Sequence, residues 1–244
     1  MKSIVVIPAR LAATRLPGKP LADIAGTPMI IRVWRQAVAA DVGPVVVAAG
    51  DSEIVEVVRA AGGNAVLTDP ALPSGSDRVY SGVEAFDFGR AYDAVVNLQG
   101  DLPAIDPECI RATVKALADS GGDIATAAAL IDNPEDFDNP AVVKPIVSWN
   151  EAGTLGRALY FTRARAPSGE GPLFHHIGIY AFMRNALQRF VKLKPSALEL
   201  RERLEQLRAL EAGMSIYVAR VDDAPLSIDT PDDLEKARKL LGPL

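Results

Sequence analysis

Three cations, Arg10, Arg15 and Lys19, lie in the segment that follows the apolar run Ile4-Val5-Val6-Ile7, accompanied by Pro17, Gly18 and several small side chains. A constrained, cation-rich turn of this kind suits the oxygens of a nucleoside triphosphate: guanidinium forks and a mobile ammonium meet the charge, and backbone N–H groups make the closer contacts. The spacing is neither G-x-x-x-x-G-K-[ST] nor a dinucleotide glycine fingerprint, since Gly18 is the turn's one glycine and Pro20 follows Lys19. Ordinary P-loop hydrolysis and NAD binding are therefore disfavoured.

Two carboxylates complete a chemical set. Asp101 follows the apolar run Ala94-Val95-Val96-Asn97-Leu98 across Gln99-Gly100, and Asp229 follows a late apolar strand. Strand-end aspartates at the carboxyl edge of a parallel sheet lie where such folds bind ligands, and two of them suit Mg²⁺, which favours carboxylate and phosphate oxygens. Cationic turn and paired aspartates together point to metal-assisted phosphoryl or nucleotidyl transfer. Ser74-Gly75-Ser76-Asp77-Arg78 offers hydroxyls and N–H groups to a base and one guanidinium to a substrate carboxylate, although the same pattern also reads as a turn and helix cap. His176 and Tyr180 share strand parity and are expected to face one cleft, with His175 pointing the other way.

The elements that must hold these residues alternate. Runs at Ile4–Ile7, Val45–Ala48 and Ala65–Leu67 are interleaved with helical patterns at Pro28–Ala40 and Ser52–Ala61, the rhythm of βαβ units feeding a parallel sheet covered on both faces. A strand is expected at Ala94–Leu98 with a helix starting at Asp106-Pro107, then a strand at Asp123–Leu130. The texture changes at Val142: Val142–Trp149, Arg157–Thr162 and His176–Phe182 predict an antiparallel excursion, about 142–182, that covers the active site or builds a dimer contact. Ser196 and Glu199 form a capping box for a helix running to about Glu211, with Leu200, Leu204 and Leu207 on its apolar side and Glu202 and Gln206 together on another face. Ser215–Val221 is the final strand, and Thr230-Pro231 opens the terminal helix.

Composition limits the partners. The 244 residues are 49% hydrophobic, enough for a sizeable core, and no linker composition marks a boundary, so a single domain with one excursion is expected. A formal charge of −5, from 26 basic and 31 acidic residues without a basic block, argues against nucleic acid and for a small anionic ligand. The lone Cys109 excludes an intrachain disulfide and a multi-cysteine metal site and reads as buried filler. The apolar run after Lys2 is too short for a signal peptide or a membrane span, which makes the cytoplasm the default compartment.

Taken in order, PARLAATRLPGKPL, SGSDR, VNLQGDLP, ALYFTR, HHIGIY, PSALELRERLEQLR and SIDTPDDL resemble, nearly end to end, the 3-deoxy-manno-octulosonate cytidylyltransferases, or CMP-Kdo synthetases. The resemblance implies a Rossmann-like nucleotide-diphospho-sugar-transferase α/β fold, with a mostly parallel central sheet and an antiparallel excursion. It also implies an enzyme of lipopolysaccharide biosynthesis that joins CTP and Kdo into CMP-Kdo and pyrophosphate, working as a homodimer. Arg10, Arg15 and Lys19 then hold the triphosphate, Pro8, Ala9, Ser74, Gly75 and Gln99 seat the nucleotide, and Asp101 with Asp229 hold Mg²⁺. Sugar recognition falls to Arg78, Gln99, His176, Tyr180, Glu202 and Gln206. Two departures stand out: Leu102 occupies a position where a glutamate is common, leaving open whether one or two Mg²⁺ ions bind, and Ser76-Asp77 varies a more familiar Thr-Glu or Thr-Asp pair. Alternatives are CMP activation of another acidic sugar, such as 8-amino-Kdo or a sialic-acid-like sugar, and a catalytically inactive nucleotide-binding regulator.

Overall fold

The apolar runs form the expected strands in a computed structural model that describes residues 1–12 and 16–242. β1 (Ser3–Ala9) leads through the two-residue strands β2 (Asp23–Ile24) and β3 (Thr27–Pro28), a small antiparallel pair, into helix α1 (Met29–Ala39). Next come β4 (Val45–Ala49), α2 (Ser52–Ala60), β5 (Asn64–Leu67), α3 (Gly75–Phe86), β6 (Ala94–Leu98) and α4 (Pro107–Ser120). The chain divides into two units, one comprising 1–111 and 225–244, the other 112–224. The expected excursion at about 142–182 is thus part of a larger second unit.

In the first unit the strands run β5-β4-β1-β6, and every pairing is parallel. All five residues of both β4 and β6 are buried, as a sheet with helices on both faces requires. The connection runs outward from β1 to β4 and β5 and then returns to β6 on the other side of β1, so the carboxyl ends of β1 and β6 flank a topological switch point. Close packing of α3 on the sheet depends on Gly82, where a Cβ would come within 2.6 Å of the Ala48 Cβ.

The second unit contains β7 (Ile124–Leu130), β8 (Lys144–Trp149), β9 (Leu155–Thr162), β10 (Phe174–Met183), α5 (Arg184–Phe190), α6 (Ala197–Glu202), α7 (Leu207–Glu211) and β11 (Ile216–Val221). Its strand order is β10-β7-β11-β9-β8, antiparallel except for β7 with β11. The single helix expected from Ser196 to Glu211 is broken in two. The capping box at Ser196 and Glu199 is present, but Arg203 takes a left-handed conformation and ends α6. Arg163 compensates: its guanidinium donates to the carbonyls of Glu202 at 2.8 Å and Arg203 at 3.4 Å, acceptors that a helix end leaves open. Glu202 and Gln206 therefore do not share a helical face, and Leu200, expected on the apolar side, is exposed while Leu204 and Leu207 are buried.

The chain returns to the first unit at Pro225 and ends in α8 (Pro231–Leu240). Ile228, Leu234 and Ala237 pack with Ile24 and Met29, and Arg32 fastens the terminus by donating to the Gly242 carbonyl at 2.6 Å.

Candidate functional site

A cleft of about 280 Å³ opens in the first unit, lined by Pro8 and Ala9 at the end of β1 and Arg10 just after it, Lys19 and Pro20, Ser74, Gly75 and Arg78 at the start of α3, and Gln99 to Asp101 after β6. Its position is the crevice that the sheet order predicts. Gly100 lets two strand ends converge there, since a Cβ would meet the Pro8 carbonyl oxygen at 3.1 Å. The turn carrying Lys19 is fixed at both ends: the Leu11 N–H donates to Asp51 Oδ2 at 2.7 Å, and the Gly18 N–H to the Leu11 carbonyl at 3.1 Å. Gly18 has φ +70°, a conformation in which a side chain is strained, and it caps the short 3₁₀ turn Lys19–Leu21.

Lys19 brings the two carboxylates together. Its Nζ donates to Asp101 Oδ2 at 3.0 Å and to Asp229 Oδ1 at 3.1 Å, across 82 and 210 residues of sequence. Asp229 is delivered by two local features. The Ile228 N–H donates to the Asp101 carbonyl at 3.0 Å, and Thr230 caps α8 in a box with Asp233. Burial pushes the Asp233 carboxyl up, but hydrogen bonds from the Thr230 hydroxyl and from the N–H groups of Asp229 and Thr230 outweigh it and hold the group below its ordinary value. Two carboxylates reaching one cation is a donor set that suits Mg²⁺, which takes few protein ligands and completes its shell with phosphate oxygens and water. No group of three or more His, Cys, Asp and Glu side chains arranged for a metal occurs among the described residues. Leu102 is buried and adds no ligand.

The nucleotide residues divide by role. Ser74 does not present a spare hydroxyl: it accepts the Asp77 N–H at 3.2 Å and donates to the Asp77 carboxylate at 2.7 Å, so it acts as the cap of α3. A Cβ on Gly75 would touch Pro8 and the Gln99 amide at 3.7 Å, so a side chain there would take up room in the cleft. Gln99 is oriented by its Nε2 donating to Asn97 Oδ1 at 2.8 Å. Asn97, a lone polar residue inside the apolar strand β6, was not singled out from the sequence, although that contrast was its signal. Arg15 lies outside the described residues.

Arg78 departs from expectation. An open fork for an acceptor carboxylate is not what the structure holds: Arg78 is buried, and its guanidinium donates to Thr68 Oγ1 at 2.6 Å and to the carbonyls of Asp69 and Pro70 at 3.1 and 3.3 Å. Desolvation, with Arg10 nearby, lowers its pKa against the opposing pull of Asp51 and Asp69. The residue ties down 68–70 beside the cleft: three of its five N–H donors, both on Nη1 and one on Nη2, are spent on fixed backbone and hydroxyl acceptors.

In the second unit His176 and Tyr180 are neighbours as their parity requires, with ring centroids 5.5 Å apart. His176 is buried against Phe161, and burial, reinforced by His175, lowers its pKa to about 3, so the ring is neutral. Burial and Glu205 push the Tyr180 phenol up. Gln206 is 5% exposed, and its Nε2 has no hydrogen-bond partner among the described residues, a costly state for a buried donor that a ligand hydroxyl would relieve. Glu202 is already engaged: its carboxylate accepts from Thr162 Oγ1 at 2.8 Å and the Arg163 N–H at 3.0 Å, with the Tyr160 hydroxyl at 3.5 Å. It latches α6 to β9, and the expected sugar contact is not its evident role.

A family model described as Cytidylyltransferase matches residues 4–216. Proteins named 3-deoxy-manno-octulosonate cytidylyltransferase from Parvibaculum lavamentivorans and Rhodospirillum centenum are each 62% identical to this chain, covering 98% of it and 92% and 93% of their own lengths. This chain belongs to the 3-deoxy-manno-octulosonate cytidylyltransferase family. A solved structure described as CMP:2-keto-3-deoxy-manno-octonic acid synthetase complexed with CTP is 35% identical, covers 98% of both chains and superposes with a TM-score of 0.89. The fold expected from the sequence is the one observed, with the cleft between the ends of β1 and β6 at its switch point.

Proposed function

We propose that this enzyme transfers the cytidylyl group of CTP to 3-deoxy-manno-octulosonate, giving CMP-Kdo and pyrophosphate. The observation that carries the reading is the convergence of Asp101, Asp229 and Lys19 at the mouth of a switch-point cleft, in a chain 62% identical to cytidylyltransferases with that name.

No side chain need act as a nucleophile. The anomeric hydroxyl of the acceptor attacks the α-phosphorus and gives up its proton to solvent; a P–O bond forms, and the bond to pyrophosphate breaks. Arg10 and Lys19 stabilise charge on the departing pyrophosphate, with the N–H groups at the start of α3 available to phosphate or base. Asp101 and Asp229 would hold a divalent cation, which we take to be Mg²⁺; when bound it supplies Lewis-acid polarisation and a template for the reacting oxygens. For that to happen Lys19 must exchange its carboxylate partners for phosphate, and the side chain is long and mobile enough to do so. His176, Tyr180 and Gln206 are the second unit's best acceptor contacts: neutral donors and acceptors suited to sugar hydroxyls. We further propose a homodimer and a cytoplasmic location. No helix among the described residues is long and apolar enough to cross a membrane.

The test is pyrophosphate release by purified protein given CTP with Kdo, 8-amino-Kdo or a sialic acid, with and without Mg²⁺. Turnover with Kdo that chelation abolishes is expected; exclusive turnover of another sugar, or CTP binding without release, overturns the assignment. Sedimentation then reads the mass, and a concentration-independent monomer refutes the dimer.

A further inference from the structure

Thr126 stands alone as a hydroxyl in the buried strand segment Ile124-Ala125-Thr126-Ala127-Ala128-Ala129. A polar side chain with no exposure in an all-apolar strand must find its partners inside the protein, and Thr126 finds three. Its Oγ1 lies 2.9 Å from His176 Nε2, 3.1 Å from the Ile177 carbonyl and 2.7 Å from the Ile179 carbonyl.

The backbone explains why the Ile179 carbonyl is available. Pairing of β10 with β7 steps from Ile177 opposite Ala127 to Tyr180 opposite Thr126, so Gly178 and Ile179 form a bulge without partners on β7. Bulges re-aim side chains and occur next to binding sites. Here the two ring residues flanking the bulge are His176 and Tyr180, and one hydroxyl spans the gap between them.

Proton counting then fixes the histidine. A threonine hydroxyl has one proton, and the carbonyls accept only. With that proton directed to the Ile177 and Ile179 carbonyls, Oγ1 can only accept from the imidazole, which makes Nε2 the protonated nitrogen and leaves Nδ1 with a lone pair. The reverse arrangement, in which Thr126 donates to Nε2, leaves both the Ile177 and the Ile179 carbonyl without this donor. The depressed pKa of His176 agrees, since a neutral ring must choose one tautomer.

We propose that Thr126 is a positioning residue for acceptor recognition: through one hydroxyl it holds His176 as the Nε2–H tautomer and pins the β10 bulge that spaces His176 from Tyr180. The proposal rests on reading His176 and Tyr180 as acceptor contacts. It assigns a role to a residue that touches no reacting atom and adds a hydrogen-bonding requirement: a ligand group facing Nδ1 must be a donor, as a sugar hydroxyl is.

Two measurements on the intact enzyme test it. Nitrogen-15 spectra of the imidazoles, with His176 assigned by a His176→Gln control, should report the Nε2–H tautomer in the unsubstituted protein; an Nδ1–H tautomer overturns the proposal whatever any variant does. Steady-state kinetics of Thr126→Val should show the KM for Kdo raised on the order of tenfold, from the loss of one buried hydrogen-bonding group, with the KM for CTP unmoved; Thr126→Ser, which keeps the hydroxyl, should restore it. A valine variant with unchanged tautomer and unchanged Kdo kinetics refutes the role, as does a serine variant as impaired as the valine. If instead His176→Gln itself leaves the KM for Kdo untouched, the acceptor reading of His176 has failed, and with it the recognition role of Thr126, even where the spectra give the expected tautomer.

Discussion

Acidification should destabilise this protein through His176 before it does so through the carboxylates. In the unfolded chain an imidazole takes up a proton near pH 6.5, whereas the buried His176 ring does so only near 3. Between those values the unfolded state binds the extra proton, so stability falls as pH falls, by about 1.4 kcal/mol for each pH unit below 6.5. At pH 4.5 the loss attributable to this ring is therefore about 3 kcal/mol, a large share of the 5–15 kcal/mol typical of a folded domain. Glu199 and Asp233 have lowered pKa values, despite burial that pushes them up, because of bonds from Arg208 and Ser196 and from Thr230 and Asp229 respectively. Their contributions are present above the ordinary carboxylate range and are lost as pH falls through it, so the interval from about pH 6.5 to 5.5 belongs to the histidines, and below it the comparison between variants carries the argument. His175, lowered by desolvation and by Lys144 against Asp136, contributes in the same direction. Comparison with His176→Gln removes that shared background. Urea unfolding followed by the fluorescence of Trp34 and Trp149, at unit intervals from pH 7.5 to 4.5, should give a stability difference between the two proteins that narrows or inverts by about 1.4 kcal/mol per unit. Parallel pH profiles would refute the reasoning.

Three further outcomes are expected. Asp101→Asn and Asp229→Asn should each lower the rate of pyrophosphate release by roughly 10²-fold or more while circular dichroism stays unchanged, because a neutral amide weakens a Mg²⁺ site at the reacting phosphate; near-normal rates in both variants would remove the pair from the metal site. Arg208→Ala should lower unfolding free energy by about 3–5 kcal/mol, since Glu199, only 11% exposed, would keep its charge without its bidentate partner; a change under about 1 kcal/mol in urea unfolding would mean the pair is screened as a surface pair is. Glu202→Ala should cost about 1–3 kcal/mol of stability by leaving the Thr162 hydroxyl and the Arg163 N–H unpaired. If melting is unchanged and only the KM for Kdo rises, Glu202 is a ligand contact and not a latch.

Legibility in the sequence followed the physics of each residue. Strands buried on both faces announce themselves as unbroken apolar runs, so β1, β4 and β6, and with them the positions of Arg10 and Asp101, could be read directly. Thr230-Pro231 with Asp233 marked α8 through capping chemistry that needs no tertiary partner. The break after Glu202 was hidden because no glycine or proline marks it: Arg203 adopts its left-handed conformation where Arg163, forty residues earlier, supplies the carbonyl partners. The same applies to Arg78, whose type and position suit a carboxylate but whose Nη1 and part of whose Nη2 are taken by 68–70. Side-chain allegiance of this sort depends on which loops fold back, and local periodicity does not contain it. Thr126 and Asn97 were legible in principle as single polar residues within apolar strands.

The way the first unit is assembled has a bearing on biosynthesis. Its segment 1–111 contains Lys19 and Asp101, and the chain then makes the whole of 112–224 before 225–244 returns with Asp229. A ribosome that has reached residue 224 has therefore produced the cationic turn and one aspartate, with the second carboxylate still to be translated. Chains that stop short of residue 229 lack the second carboxylate that Lys19 holds, so on the proposed role of that pair they should not turn CTP over. In expression screens, bulky fusions to the carboxyl terminus are joined to the segment that delivers Asp229, and an amino-terminal tag is the safer choice.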